Sequence, residues 1–238
     1  MNAPTISVVI PVYNEEENLK PLLAGLAPVM DKLRIPYELI FVNDASSDAS
    51  LEALKQLRGS YPYLRIASLK SRSGQSAAFD AGFKIAQGDI VITMDADLQY
   101  DPEDIPRLLE RIPSFDVVCG WRKKRNDPWL KRLSTKVANA VRNKVSQEQV
   151  RDIGCSLRVM KKSFLSQIKM YDGMHRFLPT LLKMQGATVS EIPVRHLPRK
   201  FGRSKYNLRN RSVRAFLDLL AVTWMKKRNL RYTMEVIK

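Results

Sequence analysis

Two carboxylates and a carboxamide stand at alternate positions in Asp95-Ala96-Asp97-Leu98-Gln99, directly after the apolar run Asp89–Met94. Residues two apart in an extended chain point the same way. The three side chains are therefore able to converge on one hard cation that also takes phosphate oxygens, as magnesium and manganese do. A lone Asp-x-Asp is as often a pair of solvated loop acids. Its place at the carboxyl end of an apolar strand favours a site, because open α/β sheets bind ligands at that edge. Two more clusters end apolar runs in the same manner: Pro11-Val12-Tyr13-Asn14-Glu15 and Asn43-Asp44-Ala45-Ser46-Ser47-Asp48. On one sheet edge the three form an acidic, hydrogen-bonding rim suited to a nucleoside, with a metal at Asp95 and Asp97 for its diphosphate. No G-x-G-x-x-G follows the first run and no P-loop lysine is present, so side chains and metal must hold the nucleotide.

The elements that must position these clusters are legible in the pattern. Strands are expected at Ile6–Val12, Tyr37–Val42, Leu64–Leu69, Asp89–Met94 and near Phe115–Cys119, with Ser156–Met160 and Thr188–Val194 later in the chain. Helices are expected after Asn14 to about Leu33, after Asp48 to about Leu57, over Ser76–Ala86 and from Pro102. The third of these carries Ala77, Ala78, Ala81 and Gly82, small enough for close packing on a sheet. Strands alternating with helices of this length indicate βαβ units, hence an α/β fold with a mostly parallel sheet. Beyond Cys119 the pattern predicts a basic loop over Trp121–Pro128, an amphipathic helix over Trp129–Gln147, and a helix over His175–Met184. A basic loop, Arg199–Arg211, then leads to a helix at Val213–Met225 and a basic tail. The expected division is a main domain over 1–210 and a basic helical extension over 211–238.

Net charge is +16 over 238 residues, and it is unevenly spread. Residues 1–118 carry −6 and residues 119–238 carry +22, an acidic half joined to one that meets a polyanion. Nucleic acid, anionic lipid headgroups and phosphorylated substrates all satisfy that charge. No stretch approaches the length of a membrane span, and the first apolar run contains Pro11 without a basic leader, which argues against a signal peptide. Cys119 and Cys155 are too few for a disulfide framework or a zinc site; they are expected to be free thiols in a reducing cytoplasm.

The segments PVYNEEEN, NDASSD, GQSAAFDAGF, MDADLQYDPED, DIGCSLRVMKK, HRFLP and RKFGRSK, in this order from residue 5 to about 206, resemble the family 2 glycosyltransferases of the GT-A fold. Within that family the chain is most similar to polyprenyl-phosphate sugar transferases such as dolichol-phosphate mannose synthase. The resemblance implies that Pro11, Tyr13, Glu15 and Asp44 contact the nucleoside, with Asp95 and Ala96 also on the donor. It implies that Asp95, Asp97 and Gln99 ligate Mg2+ or Mn2+, and that Arg199, Arg203 and Lys205 sit on a loop closing over the donor diphosphate. Two departures stand out. Asn43-Asp44 replaces the Asp-Asp of many relatives, and Gln75 stands where many carry Lys.

A hydroxyl acceptor needs a carboxylate base, and the second half holds only seven acids, of which Asp152 and Asp172 are the candidates. A phosphate acceptor needs no base; it needs cations, and Arg122, Lys131, Arg132 and Ser134 lie in a suitable segment. The expected reaction is displacement at the anomeric carbon of a GDP- or UDP-linked hexose by a polyprenyl phosphate, with inversion. Asp97, Arg199 and Lys205 are expected to carry catalysis by stabilising the departing nucleoside diphosphate. The apolar residues Phe216, Leu217, Leu219, Leu220, Val222 and Trp224, flanked by basic clusters, suit an interfacial helix at the inner membrane face, a helix docked on an integral-membrane partner, or core packing. The alternatives are transfer to a hydroxyl of a surface polysaccharide, a donor-binding sensor without turnover, and a nucleic-acid-binding protein. The last lacks any RNP-like strand, helix-turn-helix or zinc spacing, so nucleic acid is not expected as a partner.

Overall fold

The computed structural model of the chain describes residues 5–122, 151–201, 208–230 and 234–235. The expected helix over Trp129–Gln147, with Lys131, Arg132 and Ser134, and the loop residues Arg203 and Lys205 lie outside them. Seven strands form one sheet: β1 (Ile6–Val12), β2 (Tyr37–Asn43), β3 (Leu64–Ser68), β4 (Ile90–Thr93), β5 (Val117–Arg122), β6 (Arg158–Lys161) and β7 (Val189–Val194). Their spatial order is β3-β2-β1-β4-β6-β5-β7. β1 pairs in parallel with β2 and β4, β2 with β3, and β5 with β7, while β6 runs antiparallel between β4 and β5. Only β6 is reversed, so it starts at the edge where the other six strands end.

Helices α1 (Glu16–Lys32), α2 (Ser50–Arg58) and α4 (Ile105–Leu109) cover one face, and α3 (Gln75–Ile85), α5 (Lys162–Leu165) and α6 (Leu178–Met184) the other. β1 shows why its sequence is nearly continuous in apolar residues. Ile6, Val8, Ile10 and Val12 enter the core under α1, while Val9 enters the core under α3. α3 lies very close to the sheet at Gly82, where a Cβ would come within 2.2 Å of Val9 Cγ1. The small residues read from the sequence are thus a condition of this packing.

Several expected boundaries move, among them the start of the last helix, which begins at Leu208 inside the expected loop Arg199–Arg211. β5 extends through Trp121 and Arg122, which were read as loop, because pairing with β7 continues to Arg122–Val194. β6 begins at Arg158 instead of Ser156, since the Ser156 carbonyl and hydroxyl bond to Thr93 Oγ1 and Asp95 N. The His175–Met184 helix divides into a 3-10 turn, Met174–Phe177, and α6.

The last helix, α7 (Leu208–Arg228), crosses the expected division at residue 210. Leu219 and Val222 pack with Met174, Phe177 and Leu181 in a third apolar cluster. Phe216, Leu217, Leu220 and Trp224 are exposed on another side of the same helix. Of the three roles read for this segment, core packing accounts for one face and leaves the second uncovered.

Candidate active site

The ends of β2, β1 and β4 lie side by side, so the three clusters share one edge. Each turns away from its strand through a residue in left-handed conformation: Asn14 (φ 52°), Ala45 (φ 50°) and Leu98 (φ 60°). These are non-glycine residues at costly φ values, and such strain gathers at functional sites. The first two loops are stitched together. Asn14 Oδ1 accepts Ser47 N–H at 2.7 Å, Asn14 N–H donates to Ser46 Oγ at 3.0 Å, and Glu15 N–H donates to Ser50 Oγ at 2.8 Å.

Asp44 is buried, and its two oxygens accept the main-chain N–H groups of Ser73 (2.7 Å) and Gly74 (2.8 Å). It therefore anchors the loop that leads into α3. Gly74 opens α3 at φ 88°, a conformation that favours glycine. The preceding loop brings Arg72 over the Tyr13 ring, 4.0 Å from its centroid. Pro11, half-buried between the buried Ile10 and Val12, lies near the end of β1 on the same rim.

Asp95 lies at the bottom of this edge. Its Oδ1 accepts from Gln75 Nε2 at 2.7 Å, and its N–H reaches Ser156 Oγ at 3.2 Å. Burial and the neighbouring charge of Asp97 push the Asp95 carboxyl up to about 6, against the pull of Ser156, Arg158 and Arg122. Burial also raises Asp97, opposed by Arg199. Arg199 Nη2 sits 2.6 Å from Asp97 Oδ2, and Gln99 N–H donates to Asp97 Oδ1 at 3.2 Å. The Gln99 side chain reaches the Leu197 carbonyl at 3.5 Å.

Burial raises both carboxyls, Asp97 adds to the rise at Asp95 and Glu15 to that at Asp97. Such a pair is short of positive charge, which a divalent cation would supply. Among the described residues no group of three or more His, Cys, Asp and Glu side chains gathers to hold an ion. Asp95 and Asp97, with Gln99 beside them, make an incomplete shell, the kind Mg2+ and Mn2+ complete with substrate phosphate oxygens. The donor set fits such an ion.

Of the residues expected to receive an acceptor phosphate, Arg122 is the one described. Its Nε and Nη2 donate to Asp152 at 2.6 and 2.9 Å, and both side chains are largely buried. Asp152, read as a candidate base, is thereby held on a guanidinium. Asp172 is exposed, with Oδ1 3.7 Å from where a Cβ on Gly74 would stand.

Several residues at this edge were not singled out from the sequence. Arg158 stands at the start of β6, paired in register with Thr93. His196 follows β7, and its Nδ1 is buried without a hydrogen-bond partner among the described residues. Burial and the Arg122 charge lower its pKa, while Asp97 and Asp152 raise it. His175 reaches Ser76 at the head of α3. The DIGCSLR and HRFLP segments contain Arg158 and His175, but nothing in their spacing announces a reversed strand that starts at the rim.

The model of "Glycosyl transferase family 2" matches residues 7–169. Among curated relatives, dodecaprenyl-phosphate galacturonate synthase of Rhizobium johnstonii is 36% identical over 95% of this chain and 68% of its own length. Undecaprenyl-phosphate 4-deoxy-4-formamido-L-arabinose transferase of Edwardsiella ictaluri is 38% identical over 85% of this chain and 63% of its own. The match thus spans about two thirds of either relative. Among solved structures, a mannosyltransferase of Pyrobaculum calidifontis with GDP-Man and Mn2+ superposes with a TM-score of 0.68 at 19% identity, over 93% of this chain and 64% of that one. Glucosyl-3-phosphoglycerate synthase of Mycobacterium tuberculosis, with Mn2+ and UDP-glucose, superposes at 0.70 and 20% identity, over 93% and 80%. The acidic edge of a parallel sheet, the shared GT-A fold and the match through residue 169 lead to one conclusion: the chain belongs to glycosyl transferase family 2.

Proposed function

We propose that this chain transfers a sugar, with inversion, from a GDP- or UDP-linked donor to a polyprenyl phosphate. The observation that carries the reading is the half-buried Asp95–Asp97 pair at the end of β4, with Gln75 on Asp95 and Arg199 on Asp97. Both relatives compared above are named for a polyprenyl phosphate. A phosphate acceptor also agrees with the fate of the acids in the second half. Asp152 is paired with Arg122, Glu191 accepts the Arg151 N–H, and Asp218 faces Arg176 at 3.8 Å.

In this reading Asp95 and Asp97, with Gln99, hold Mg2+ or Mn2+, which neutralises charge on the donor diphosphate. Tyr13, Glu15 and Asp44 shape the nucleoside side, Asp44 by holding the Ser73–Gly74 loop. Arg199 leaves Asp97 and faces the diphosphate, joined by Arg203 and Lys205. The acceptor oxygen is already anionic, so no side chain need take its proton before it attacks the anomeric carbon. Arg122, Lys131, Arg132 and Ser134 orient that phosphate, Arg122 from its place on Asp152.

The acceptor lies in a bilayer, and no helix among the described residues is long and apolar enough to cross one. The exposed Phe216, Leu217, Leu220 and Trp224, followed by Lys226, Lys227 and Arg228, dock α7 on an anionic membrane surface in this reading. The test is transfer of radiolabelled sugar from GDP- and UDP-sugars to a short polyprenyl phosphate in detergent, with Mg2+, Mn2+ or chelator. Metal-dependent label in the lipid phase is expected. Donor hydrolysis without lipid product would overturn the acceptor assignment.

A further inference from the structure

Ser76, Arg158 and His175 have no part in the transfer just described, yet they form one of the most completely bonded groups near the rim. The Ser76 hydroxyl lies 2.7 Å from His175 Nδ1 and accepts the His175 main-chain N–H at 3.3 Å. The Arg158 guanidinium donates to the carbonyls of His175 and Ile153, each at 2.9 Å. Ser76 and Arg158 are each 2% exposed. Keeping a guanidinium out of water is costly unless its N–H groups are well compensated. Packing alone would be served better by an apolar residue.

Both ends of this brace finish at Asp95. Ser76 follows Gln75, whose amide donates to Asp95 Oδ1. Arg158 follows the Ser156–Leu157 segment, whose Ser156 hydroxyl meets the Asp95 N–H. The turn carrying His175 is fixed from its far side as well. Gly173 precedes it in left-handed conformation, φ 79°. Met174 and Phe177 pack on Leu219 and Val222 of α7, and Arg176 faces Asp218. The His175 ring lies against Phe79 of α3, centroids 6.3 Å apart.

We propose that His175 is a positioning residue of the donor site: through Ser76 it sets the first turn of α3, so that Gln75 holds Asp95 in the orientation that receives the donor diphosphate and its cation. Arg158 locks the His175 main chain to the strand beside β4. His175 touches no reacting atom. The inference rests on the reading of Asp95 and Asp97 as the donor site.

The experiment is calorimetric titration of the full chain with UDP and with GDP in the presence of Mn2+, well below the melting temperature. His175→Ala and Ser76→Ala are expected to weaken the nucleotide that binds by about tenfold, the scale of a lost buried hydrogen bond. His175→Asn, which keeps a polar atom at the δ position, is expected to recover most of that loss. Leu64→Ala, a core truncation at the start of β3, the end of the sheet opposite the rim, is expected to lower Tm without changing affinity. That contrast separates positioning from stability. Wild-type binding together with His175→Ala and Ser76→Ala within about twofold of it would overturn this inference alone. Absence of any nucleotide binding by the wild type would overturn the donor-site reading and this inference with it. Should His175→Ala fail to fold, Ser76→Ala carries the same comparison.

Discussion

Arg199 Nη2 stands 2.6 Å from Asp97 Oδ2, so a cation from the segment after β7 occupies the carboxylate at the end of β4. The pair is partly buried, and each charge offsets the cost of the other. On the proposed reading, a metal ion held by Asp97 would compete with that guanidinium and leave it to face the donor phosphates. Arg199→Ala is therefore expected to bind Mn2+ alone several-fold more tightly, read by the loss of the free Mn2+ EPR signal. The same variant is expected to lose about 10²–10³ in transfer rate, the scale of one removed charge-stabilising donor. Weaker Mn2+ binding would show that Arg199 supports the site before donor arrives.

Asp97 itself separates function from folding. Burial raises its pKa, so its charge is a cost to the empty fold. Asp97→Ala is expected to reduce turnover by about 10³ or more while the chain still folds cooperatively, with a Tm in chelator lowered by no more than a few degrees through the loss of the Arg199 pair. Wild-type-like turnover would remove the metal assignment.

Asp116 sets an acid limit far from the site. Hydrogen bonds from Lys161 Nζ and from the Thr188 N–H and hydroxyl hold its carboxyl down at about 2. A depressed carboxylate stabilises the fold above its unfolded pKa, about 3.9, and that contribution disappears as pH falls from there to about 2. Asp116→Asn is expected to lower Tm at pH 7 by about 2–4 °C, with the difference closing by pH 2. A constant difference across that range would mean that the carboxylate charge is not the source.

The exposed stripe of α7 predicts lipid binding separable from stability. Trp224 is 64% exposed and Leu217 57%. Burying one such side chain is worth about 1.5–3 kcal/mol. Trp224→Ser is expected to reduce binding to anionic vesicles by about tenfold or more, with Tm unchanged and with binding that weakens in salt. Unchanged vesicle binding would assign this face to another partner.

Burial pushes the thiols of Cys119 and Cys155 up to about 12 and about 11. Neither is a thiolate at neutral pH, so neither is a ready nucleophile in the folded chain. Both are expected to resist alkylation at pH 8 in the folded chain and to label fully on unfolding.

Much of this molecule was present in local pattern. The runs Ile6–Val12 and Tyr37–Asn43 are strands because β-branched residues buried on both faces leave no other arrangement. Each ends where its polar cluster begins, so the acidic rim, Asp95 and Asp97 included, followed from strand ends and the rule for parallel sheets. The small residues of α3 likewise announced its close approach, seen at Gly82. What the sequence alone left undecided is pairing between residues distant along the chain. Asp44, expected at the nucleoside by resemblance, grips Ser73 and Gly74, 29 and 30 residues away. Arg122, expected at the acceptor phosphate, meets Asp152, 30 residues away. Arg199 meets Asp97 across 102 positions, and His175 meets Ser76 across 99. Periodicity records which face a residue shows to the core; it holds no record of which distant charge or hydroxyl it faces there. That was decided by the reversal of β6, which puts its start, and Arg158 with it, at the rim, and by close packing, which leaves each buried polar group to find its partner where the fold brings one.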